Sequence, residues 1–279
     1  MICSGAARVA GVIGWPVAHS KSPRVHGHWL AEHGIDGAYV PLAVQPDDLH
    51  DVVRALPKLG FQGANVTVPH KAGAAELCDD LEPHAQRLGV VNTLICSGNT
   101  VRGANTDGLG FLNNLFHGAP TWRPERAPTA VLGAGGAARA VVVALLDAGA
   151  EEIRVLNRTR AKADALADEF GRRIEVYDWG NWSRAFAGTG LLVNTTSLGM
   201  AGQPELAVEL DSLPTNAVVN DIVYKPLETA LLAAARARGN PVVDGLGMLL
   251  HQAVPGFQAW FGVHPRVTDE LRARVLGES

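Results

Sequence analysis

Short apolar runs alternate with segments of helical periodicity along most of the chain. The first apolar run, at residues 8–14, precedes a segment that opens at Pro23 and closes at Gly34, residue types that favour the first turn and the end of a helix. Strands that alternate with helices in this way are typical of parallel sheets, because parallel neighbours need a crossover connection. The pattern predicts an α/β fold with mostly parallel sheets.

The alternation continues to the end of the chain. Further strands are predicted at residues 38–44, 63–69, 90–96, 100–105, 174–178, 190–196 and 217–223. Further helices are predicted at residues 47–60, 106–118, 246–262 and 266–276. A strand, a glycine turn, a helix and a second strand fill the stretch that begins near residue 128.

The glycine turn GAGGAA at residues 133–138 has the context of a dinucleotide-binding fingerprint, since it follows an apolar strand and opens a helix. Gly133 permits the tight turn, Gly135 lets the backbone approach a pyrophosphate, and Ala138 allows the helix to pack closely on the strand. The helix N-terminus would supply N–H donors to the phosphates. A purely structural turn is the alternative, but the flanking strand and helix favour a dinucleotide site.

A positive charge stands where many NAD-binding domains carry an Asp or Glu. Asn157, Arg158 and Thr159 follow the next strand, where the adenosine ribose is expected. A guanidinium there makes charge-assisted bonds to a 2′-phosphate, and Arg160 and Lys162 add to the positive field. The alternative is a solvated basic turn with Thr159 as a helix N-cap. Behind this glycine turn, the pattern favours NADP.

These features divide the chain into two predicted domains. Residues 111–245 are expected to form a Rossmann-type NADP-binding domain. Residues 1–110 are expected to form the substrate-binding and catalytic domain. The helices after residue 245 follow a Rossmann-type unit that is already complete, so residues 246–279 are expected to return to the first domain.

Hydroxyl and amide side chains cluster near predicted strand and helix ends of the first domain. Ser20 and Ser22 are two residues apart, so in an extended segment both hydroxyls face the same way and suit a carboxylate. Ser22 could instead be the N-cap of the helix that follows. Asn65 and Thr67 have the same spacing, which puts their polar groups on one face of a strand.

Lys71 and Asp107 are candidate groups for acid–base chemistry. Lys71 is expected in the first turn of a helix, where its charge opposes the helix dipole, in a chain that strongly prefers arginine to lysine. A surface lysine is the alternative. Asp107 could cap the next helix, or bond a substrate hydroxyl and hold Lys71 protonated. Asn92, Tyr224 and Gln252 are polar groups in apolar surroundings, for which turn capping or a core hydrogen bond is the alternative.

Composition narrows the class of protein. The chain has 279 residues, of which 47% are hydrophobic, and a formal net charge of −4. A nucleic acid or an anionic membrane as main partner would favour a basic surface. No apolar stretch reaches the length of a membrane span, and the start of the chain lacks the pattern of a signal peptide. We therefore expect a cytoplasmic protein that binds no nucleic acid and no membrane. A small-molecule substrate and a monomeric or homodimeric state are further expectations, which the composition does not decide.

Cysteine and histidine give no indication of a metal. Cys3, Cys78 and Cys96 are too scattered for a disulfide framework or a zinc site. The ten histidines lack metal-binding spacing, and His26 and His28 are expected to be solvated or hydrogen-bonded.

Taken together, the motifs resemble the shikimate dehydrogenase family. The matching segments occur in the family's order over nearly the whole chain, and they are HSKSP at 19–23, NVTVPHK at 65–71, VNT at 91–93, NTDG at 105–108, GAGGAARA at 133–140, NRT at 157–159, NTTSLGM at 194–200, DIVYKP at 221–226 and DGLGMLLHQA at 244–253. The resemblance implies reversible, NADPH-dependent reduction of 3-dehydroshikimate to shikimate, a step in aromatic amino acid biosynthesis. It also supports the return of the C-terminal segment to the substrate domain.

The resemblance further implies roles for individual residues. It places a catalytic pair at Lys71 and Asp107. It assigns the substrate carboxylate and ring hydroxyls to Ser20, Ser22, Asn65, Thr67, Asn92, Asp107, Tyr224 and Gln252. It assigns NADP to Gly133, Ala134, Gly135, Gly136, Ala137, Asn157, Arg158, Thr159, Arg160 and Lys162, with Ile222, Gly245 and Met248 near the nicotinamide end.

Two positions depart from the family's commonest pattern. Gly27 replaces a frequent amide residue, and Thr195 replaces a frequent Ala; neither removes a group assigned to chemistry. Two other functions stay open at this point, namely a sister enzyme that also oxidises quinate, often with NAD, and an NADP-binding sensor without turnover. Arg158 argues against NAD, and the presence of Lys71 and Asp107 argues against a sensor.

Overall fold

The computed structural model describes residues 3–277 and divides into two compact units. Unit 1 contains the chain up to Thr106 and again from Leu249 onward, and unit 2 runs from Asp107 to Met248. The boundaries expected from the sequence lie within a few residues of these. The second boundary falls inside one continuous helix, where no change in composition marks it.

Twelve strands and eleven α-helices are assigned within the described residues. The strands are β1 (Arg8–Gly14), β2 (Gly37–Ala43), β3 (Phe61–Val66), β4 (Asp80–Leu81), β5 (Thr93–Ser97), β6 (Thr100–Ala104), β7 (Thr129–Leu132), β8 (Ile153–Asn157), β9 (Ile174–Asp178), β10 (Leu191–Asn194), β11 (Val218–Asp221) and β12 (Val242–Val243). The helices are α1 (Ser22–Glu32), α2 (Leu49–Ala55), α3 (Lys71–Glu76), α4 (Pro83–Leu88), α5 (Asp107–Gly118), α6 (Gly136–Asp147), α7 (Arg160–Phe170), α8 (Trp182–Phe186), α9 (Ala230–Ala237), α10 (Leu246–Phe261) and α11 (Asp269–Leu276). None of these helices within residues 3–277 has the length and apolar character that crossing a membrane requires.

Unit 1 is built on a mixed sheet with strand order β2-β1-β3-β5-β6-β4. β1 lies between β2 and β3 and is parallel to both. β5 and β6 form an antiparallel hairpin across Ser97, Gly98 and Asn99, as the turn residues predict. One face of the sheet carries an aliphatic core that includes Ile13, Val53 and Leu94.

Helix α1 begins at Ser22, which is one residue earlier than it would begin if Ser22 were its N-cap. Its N-cap is Lys21, whose side chain makes no capping hydrogen bond, and Ser22 is the first helical residue. That alternative is therefore wrong, and the Ser22 hydroxyl is available for another partner. The helix ends at Glu32, and Gly34 follows with φ +60°, as its position in the sequence predicts.

Unit 2 is a parallel sheet with strand order β12-β11-β10-β7-β8-β9. Counted within the unit, this order is 6-5-4-1-2-3, the Rossmann arrangement, in which ligands bind where the strand order reverses. The reversal lies between β7 and β10. Buried apolar side chains cover both faces of the sheet. The α/β fold with mostly parallel sheets predicted from the alternation of strands and helices is confirmed.

Candidate functional site

The segment between the end of β3 and the first residue of α3 carries two of the predicted site residues of unit 1. Thr67 directly follows β3, and its N–H donates to the Ile13 carbonyl of β1 at 2.9 Å. Lys71 is half-buried and is the first residue of α3, where its charge opposes the helix dipole as expected. The preceding His70 is buried and its Nε2 donates to the Val44 carbonyl at 2.8 Å, which anchors the start of α3.

A connected set of hydrogen bonds joins three of the predicted substrate residues. Asn65 Nδ2 donates to the Asn92 carbonyl at 3.1 Å and to Thr93 Oγ1 at 3.3 Å. Asn92 Nδ2 donates to Thr106 Oγ1 at 2.9 Å and to Gln252 Oε1 at 3.1 Å. Thr106 Oγ1 also donates to the Gln252 carbonyl at 2.8 Å. Strand β3, the start of β5 and helix α10 therefore hold these amides in one fixed arrangement.

Thr106 and Tyr39 also belong to this arrangement, although neither was predicted from the sequence. The hydroxyl of Tyr39, which lies in β2, donates to Asn65 Oδ1 at 2.6 Å. The signal that could have found Tyr39 is a phenol at an inward position of an apolar strand, because a buried hydroxyl needs a partner.

Ser20 and Ser22 lie at the start of α1. The Ser22 N–H donates to Ser20 Oγ at 3.3 Å, so the two residues are held together. Ser20 is half-buried, whereas Ser22 is 7% exposed.

Unit 2 contains the remaining two residues assigned to catalysis or substrate. Asp107 is the first residue of α5 and is half-buried. Tyr224 lies three residues after β11, and burial raises the pKa of its phenol. The set is thus divided: unit 1 contributes Ser20, Ser22, Asn65, Thr67, Lys71, Asn92 and Gln252, and unit 2 contributes Asp107 and Tyr224.

The glycine turn of unit 2 has the shape that a dinucleotide phosphate needs. Gly133 has φ +111°, and a Cβ there would stand 2.6 Å from Thr195 Oγ1. Gly135 is the N-cap of α6, and neither it nor Gly136 has any atom within 4 Å of where a Cβ would be. The turn follows β7 at the point where the strand order reverses. These residues fit a pyrophosphate at the N-terminus of α6, with Ala134 and Ala137 half-buried beside it.

The hydroxyl of Thr195 has a hydrogen-bond partner within the protein. Its hydroxyl donates to the Leu132 carbonyl at 2.6 Å, next to the backbone bond from its N–H to the same oxygen at 2.9 Å. The hydroxyl that distinguishes Thr from Ala therefore adds a second hydrogen bond between the ends of β7 and β10, and it does not disturb the glycine turn.

In the turn after β8, a hydrogen bond from a side chain to the backbone holds the polar residues in place. Asn157 Nδ2 donates to the Thr159 carbonyl at 2.8 Å. Thr159 is the N-cap of α7, as the alternative interpretation proposed, but its side chain makes no capping hydrogen bond.

The three cations of this turn differ in their surroundings. Arg160 is ion-paired with Asp178 at 2.7 Å and with Asp164 at 3.5 Å, so its charge is largely compensated. Arg158 and Lys162 are exposed, and Arg158 forms no ion pair with any residue in the described part of the chain. Arg158 is therefore the guanidinium that a 2′-phosphate would meet uncompensated.

The residues implied near the nicotinamide lie close together in unit 2. A Cβ on Gly245 would collide with the Ile222 backbone and stand 2.7 Å from the Val223 carbonyl, so only glycine lets the start of α10 approach β11. Ile222 and Met248 are half-buried and pack against the same core cluster.

A buried carboxylate that the sequence analysis did not single out fixes this segment. Asp221 accepts hydrogen bonds from Asn194 Nδ2 at 3.0 Å, the Val223 N–H at 3.0 Å and Thr229 Oγ1 at 2.7 Å. Burial raises the pKa of its carboxyl, and these hydrogen bonds act in the opposite direction. Asp221 thereby ties the ends of β10 and β11 to the N-terminus of α9.

His26 differs from its expectation. It is completely buried, and neither ring nitrogen has a hydrogen-bond partner within the described residues. Burial lowers its pKa to about 3, and the nearby Asn65 acts in the opposite direction. The expectation of a solvated or hydrogen-bonded ring is wrong, because β2 and α10 cover this face of α1 with aromatic rings at 4.0–5.8 Å between centroids.

Comparisons with known proteins cover nearly the whole chain. The family profile described as the shikimate dehydrogenase substrate binding domain matches residues 12–94, and that of shikimate / quinate 5-dehydrogenase matches residues 123–198. A shikimate dehydrogenase (NADP(+)) from Paramagnetospirillum magneticum is 61% identical over 98% of this chain and 99% of its own length.

Solved structures give the same picture. The shikimate 5-dehydrogenase of Thermus thermophilus in complex with NADP(H) and shikimate has a TM-score of 0.87 at 35% identity, over 98% of this chain and all of that chain. The quinate dehydrogenase of Corynebacterium glutamicum in complex with NAD has a TM-score of 0.89 at 32% identity, over 97% of this chain and 99% of that chain. Similarity of fold alone therefore does not separate the two activities.

Proposed function

The chain belongs to the shikimate dehydrogenase family, and from that premise we propose that Lys71 and Asp107 carry the chemistry of its reaction. The reaction is the reversible, NADPH-dependent reduction of 3-dehydroshikimate to shikimate in aromatic amino acid biosynthesis. The observation that carries this activity is the full-length similarity, at 61% identity, to a relative named for it.

Lys71 acts as the general acid in the direction of reduction. NADPH, when bound, supplies the hydride that forms the new C–H bond at the 3-keto carbon. Negative charge develops on the carbonyl oxygen, and the Lys71 ammonium stabilises this charge and donates the proton that completes the alcohol. The lysine is left as a neutral amine, which regains a proton from solvent; in the direction of oxidation the amine accepts the proton instead.

Asp107 binds the hydroxyl next to the reacting carbon. A carboxylate accepts a hydrogen bond from this hydroxyl, which fixes the rotation of the ring and so the direction from which hydride arrives. Its place as the first residue of α5 restricts its backbone.

Ser20, Ser22 and Tyr224 bind the substrate carboxylate through their hydroxyl groups. The ring hydroxyls bind to the side chains of Asn65, Thr67, Asn92 and Gln252. The internal hydrogen bonds of the amide network support this assignment, because side chains that are already oriented lose little entropy when a ligand binds.

NADP binds to unit 2. The glycine turn from Gly133 to Ala137 would hold the pyrophosphate, and Arg158 would bind the 2′-phosphate together with Asn157, Thr159, Arg160 and Lys162. Ile222, Gly245 and Met248 would hold the nicotinamide end. The open space at Gly135 and Gly136 supports the first of these assignments.

A second candidate activity is the oxidation of quinate with NAD, since the C. glutamicum protein of similar fold is a quinate dehydrogenase in complex with NAD. A third is NADP binding without turnover. One assay separates them: shikimate and quinate are each combined with NADP and NAD, and the absorbance of the reduced nicotinamide is followed. We expect strong turnover with shikimate and NADP alone. Comparable rates with quinate or NAD would favour the second candidate, and calorimetric binding of NADP without turnover of either substrate would favour the third.

Replacing Lys71 by Ala tests the catalytic assignment in the same assay. Loss of a positioned acid–base group lowers a rate about a hundred- to ten-thousand-fold, and we expect kcat to fall by that factor with little change in the KM for shikimate. Lys58→Ala is the matched control, since Lys58 is exposed and lies outside the proposed site. Near-normal turnover of Lys71→Ala would contradict the assignment.

A cytoplasmic location, the absence of nucleic-acid binding and a monomeric or homodimeric state stay predictions. They accord with a biosynthetic role and with the net charge of −4. Cell fractionation and light scattering of the purified chain would check the location and the oligomeric state.

A further inference from the structure

Tyr39 of β2 has a ring that the surrounding aromatic side chains hold in place. It is only 8% exposed and is stacked on the His26 ring, with 4.0 Å between ring centroids and 9° between ring planes. The Trp260 ring lies 5.9 Å away and is tilted against it. Because the packed rings restrict the phenol, the fold fixes the position of its hydroxyl.

The Tyr39 hydroxyl contacts Asn65, which is a proposed substrate residue. It donates to Asn65 Oδ1 at 2.6 Å. Burial holds the pKa of Tyr39 well above its ordinary value, although a side-chain hydrogen bond with Ser22 acts in the opposite direction. The phenol therefore keeps its proton at any physiological pH and remains a donor to Asn65.

This donor determines which way the Asn65 amide faces. The Nδ2 of that amide donates to the Asn92 carbonyl and to Thr93 Oγ1, so the amide has its oxygen toward Tyr39 and its nitrogen toward β5. The phenol thus fixes the orientation of an amide that the proposed function assigns to a ring hydroxyl of the substrate.

We propose that Tyr39 is a positioning residue for the substrate, which holds the Asn65 amide of β3 in one orientation through a single buried hydroxyl. The inference rests on the proposed function, in which Asn65 binds a ring hydroxyl. Tyr39 touches neither the substrate nor the reacting atoms in this scheme. It sets the direction in which the Asn65 amide meets the substrate.

Tyr39→Phe tests the proposal because it removes the hydroxyl and keeps the stacked ring. We expect the KM for shikimate to rise about tenfold. This factor corresponds to the free energy lost when one internal hydrogen bond is removed and the Asn65 carbonyl is left without a donor. The kcat should change by less than about threefold, in contrast to Lys71→Ala, and the KM for NADP should stay the same. Tyr177→Phe is the matched control, since the Tyr177 hydroxyl lies in unit 2 and contacts the exposed Glu175.

A double-mutant cycle with Asn65→Ala separates positioning from a general loss of packing. If Tyr39 acts through Asn65, the increase in KM of the double variant will be smaller than the product of the two single increases. An unchanged KM in Tyr39→Phe, or effects of the two substitutions that multiply independently, would overturn the proposal. The wild-type chain in the same assay reports on the proposed function: without turnover of shikimate there, the function itself fails, and the positioning role with it.

Discussion

Replacing Arg158 by Ala should weaken the binding of NADPH while leaving that of NADH unchanged. The guanidinium is exposed and has no ion-pair partner in the described part of the chain, so its full charge is available to a 2′-phosphate. A hydrogen bond to a charged group contributes about 1.5–3 kcal/mol, and about 1.4 kcal/mol is a factor of ten in affinity. We therefore expect the Kd for NADPH to rise about ten- to hundred-fold.

Arg160→Ala makes the same change of charge two residues away, at a second residue that is assigned to the cofactor. Arg160 already binds Asp178 at 2.7 Å and Asp164 at 3.5 Å, so little of its charge reaches a ligand. We expect the Kd for NADPH to change by less than about threefold in this variant, in the range of an exposed ion pair.

Calorimetric titration of each variant with NADPH and NADH measures both constants. The contribution of Arg158 should shrink when the salt concentration rises from about 0.1 M to about 1 M, because the screening length falls from about 10 Å to about 3 Å. Equal losses for NADPH and NADH in Arg158→Ala would refute the 2′-phosphate role. An equal loss in Arg160→Ala would mean that the field of the whole turn, and not the single guanidinium, selects the cofactor.

Two further predictions concern stability, both measured by urea unfolding. Gly63→Ala should lower the free energy of unfolding by about 3 kcal/mol or more, because Gly63 has φ +152° and a Cβ would collide with the Leu94 carbonyl and the Trp260 indole nitrogen, which share a 2.9 Å hydrogen bond. Gly27→Ala, the same change at an open helical position, should instead stabilise by about 1 kcal/mol; equal effects of the two would contradict this reasoning. Burial lowers the pKa of His26 from 6.5 to about 3. Below pH 6.5 the unfolded chain therefore binds a proton at His26 that the native chain does not bind. The contribution of His26 to the free energy of unfolding is present above pH 6.5 and is lost as the pH falls toward 3. Between pH 7 and pH 5, His26→Phe should lose about 2 kcal/mol less than the wild-type chain; identical losses would mean that His26 does not set the slope.

Much of the local structure was predicted from the sequence. The strand expected at residues 8–14 is β1 (Arg8–Gly14), and the glycine turn opens α6 where the fingerprint places it. These features depend on periodicity and turn chemistry within a few residues, which the sequence displays directly. Helix α4 and strand β4 were missed because six and two residues are too short to show a period.

The candidate site was predicted only as a set of residue types. The resemblance named Asn65, Asn92 and Gln252 without their mutual bonds. Asn92 and Gln252 are 160 residues apart, and their hydrogen bond exists because the segment before β5 and helix α10 meet in one unit. Such a contact depends on strand order and register, which no local pattern encodes.

The sequence by itself determined the fold class, the glycine turn and the charge of Arg158, since each follows from spacing and side-chain chemistry along the chain. The tertiary structure decided which side chains are buried and which polar atoms meet. Only it shows that, within residues 3–277, Arg160 is ion-paired while Arg158 is not, that His26 is buried among aromatic rings, and that the Tyr39 hydroxyl donates to Asn65. The physical reason is that burial and hydrogen bonding are properties of neighbours in space, and folding brings together residues that the sequence keeps far apart.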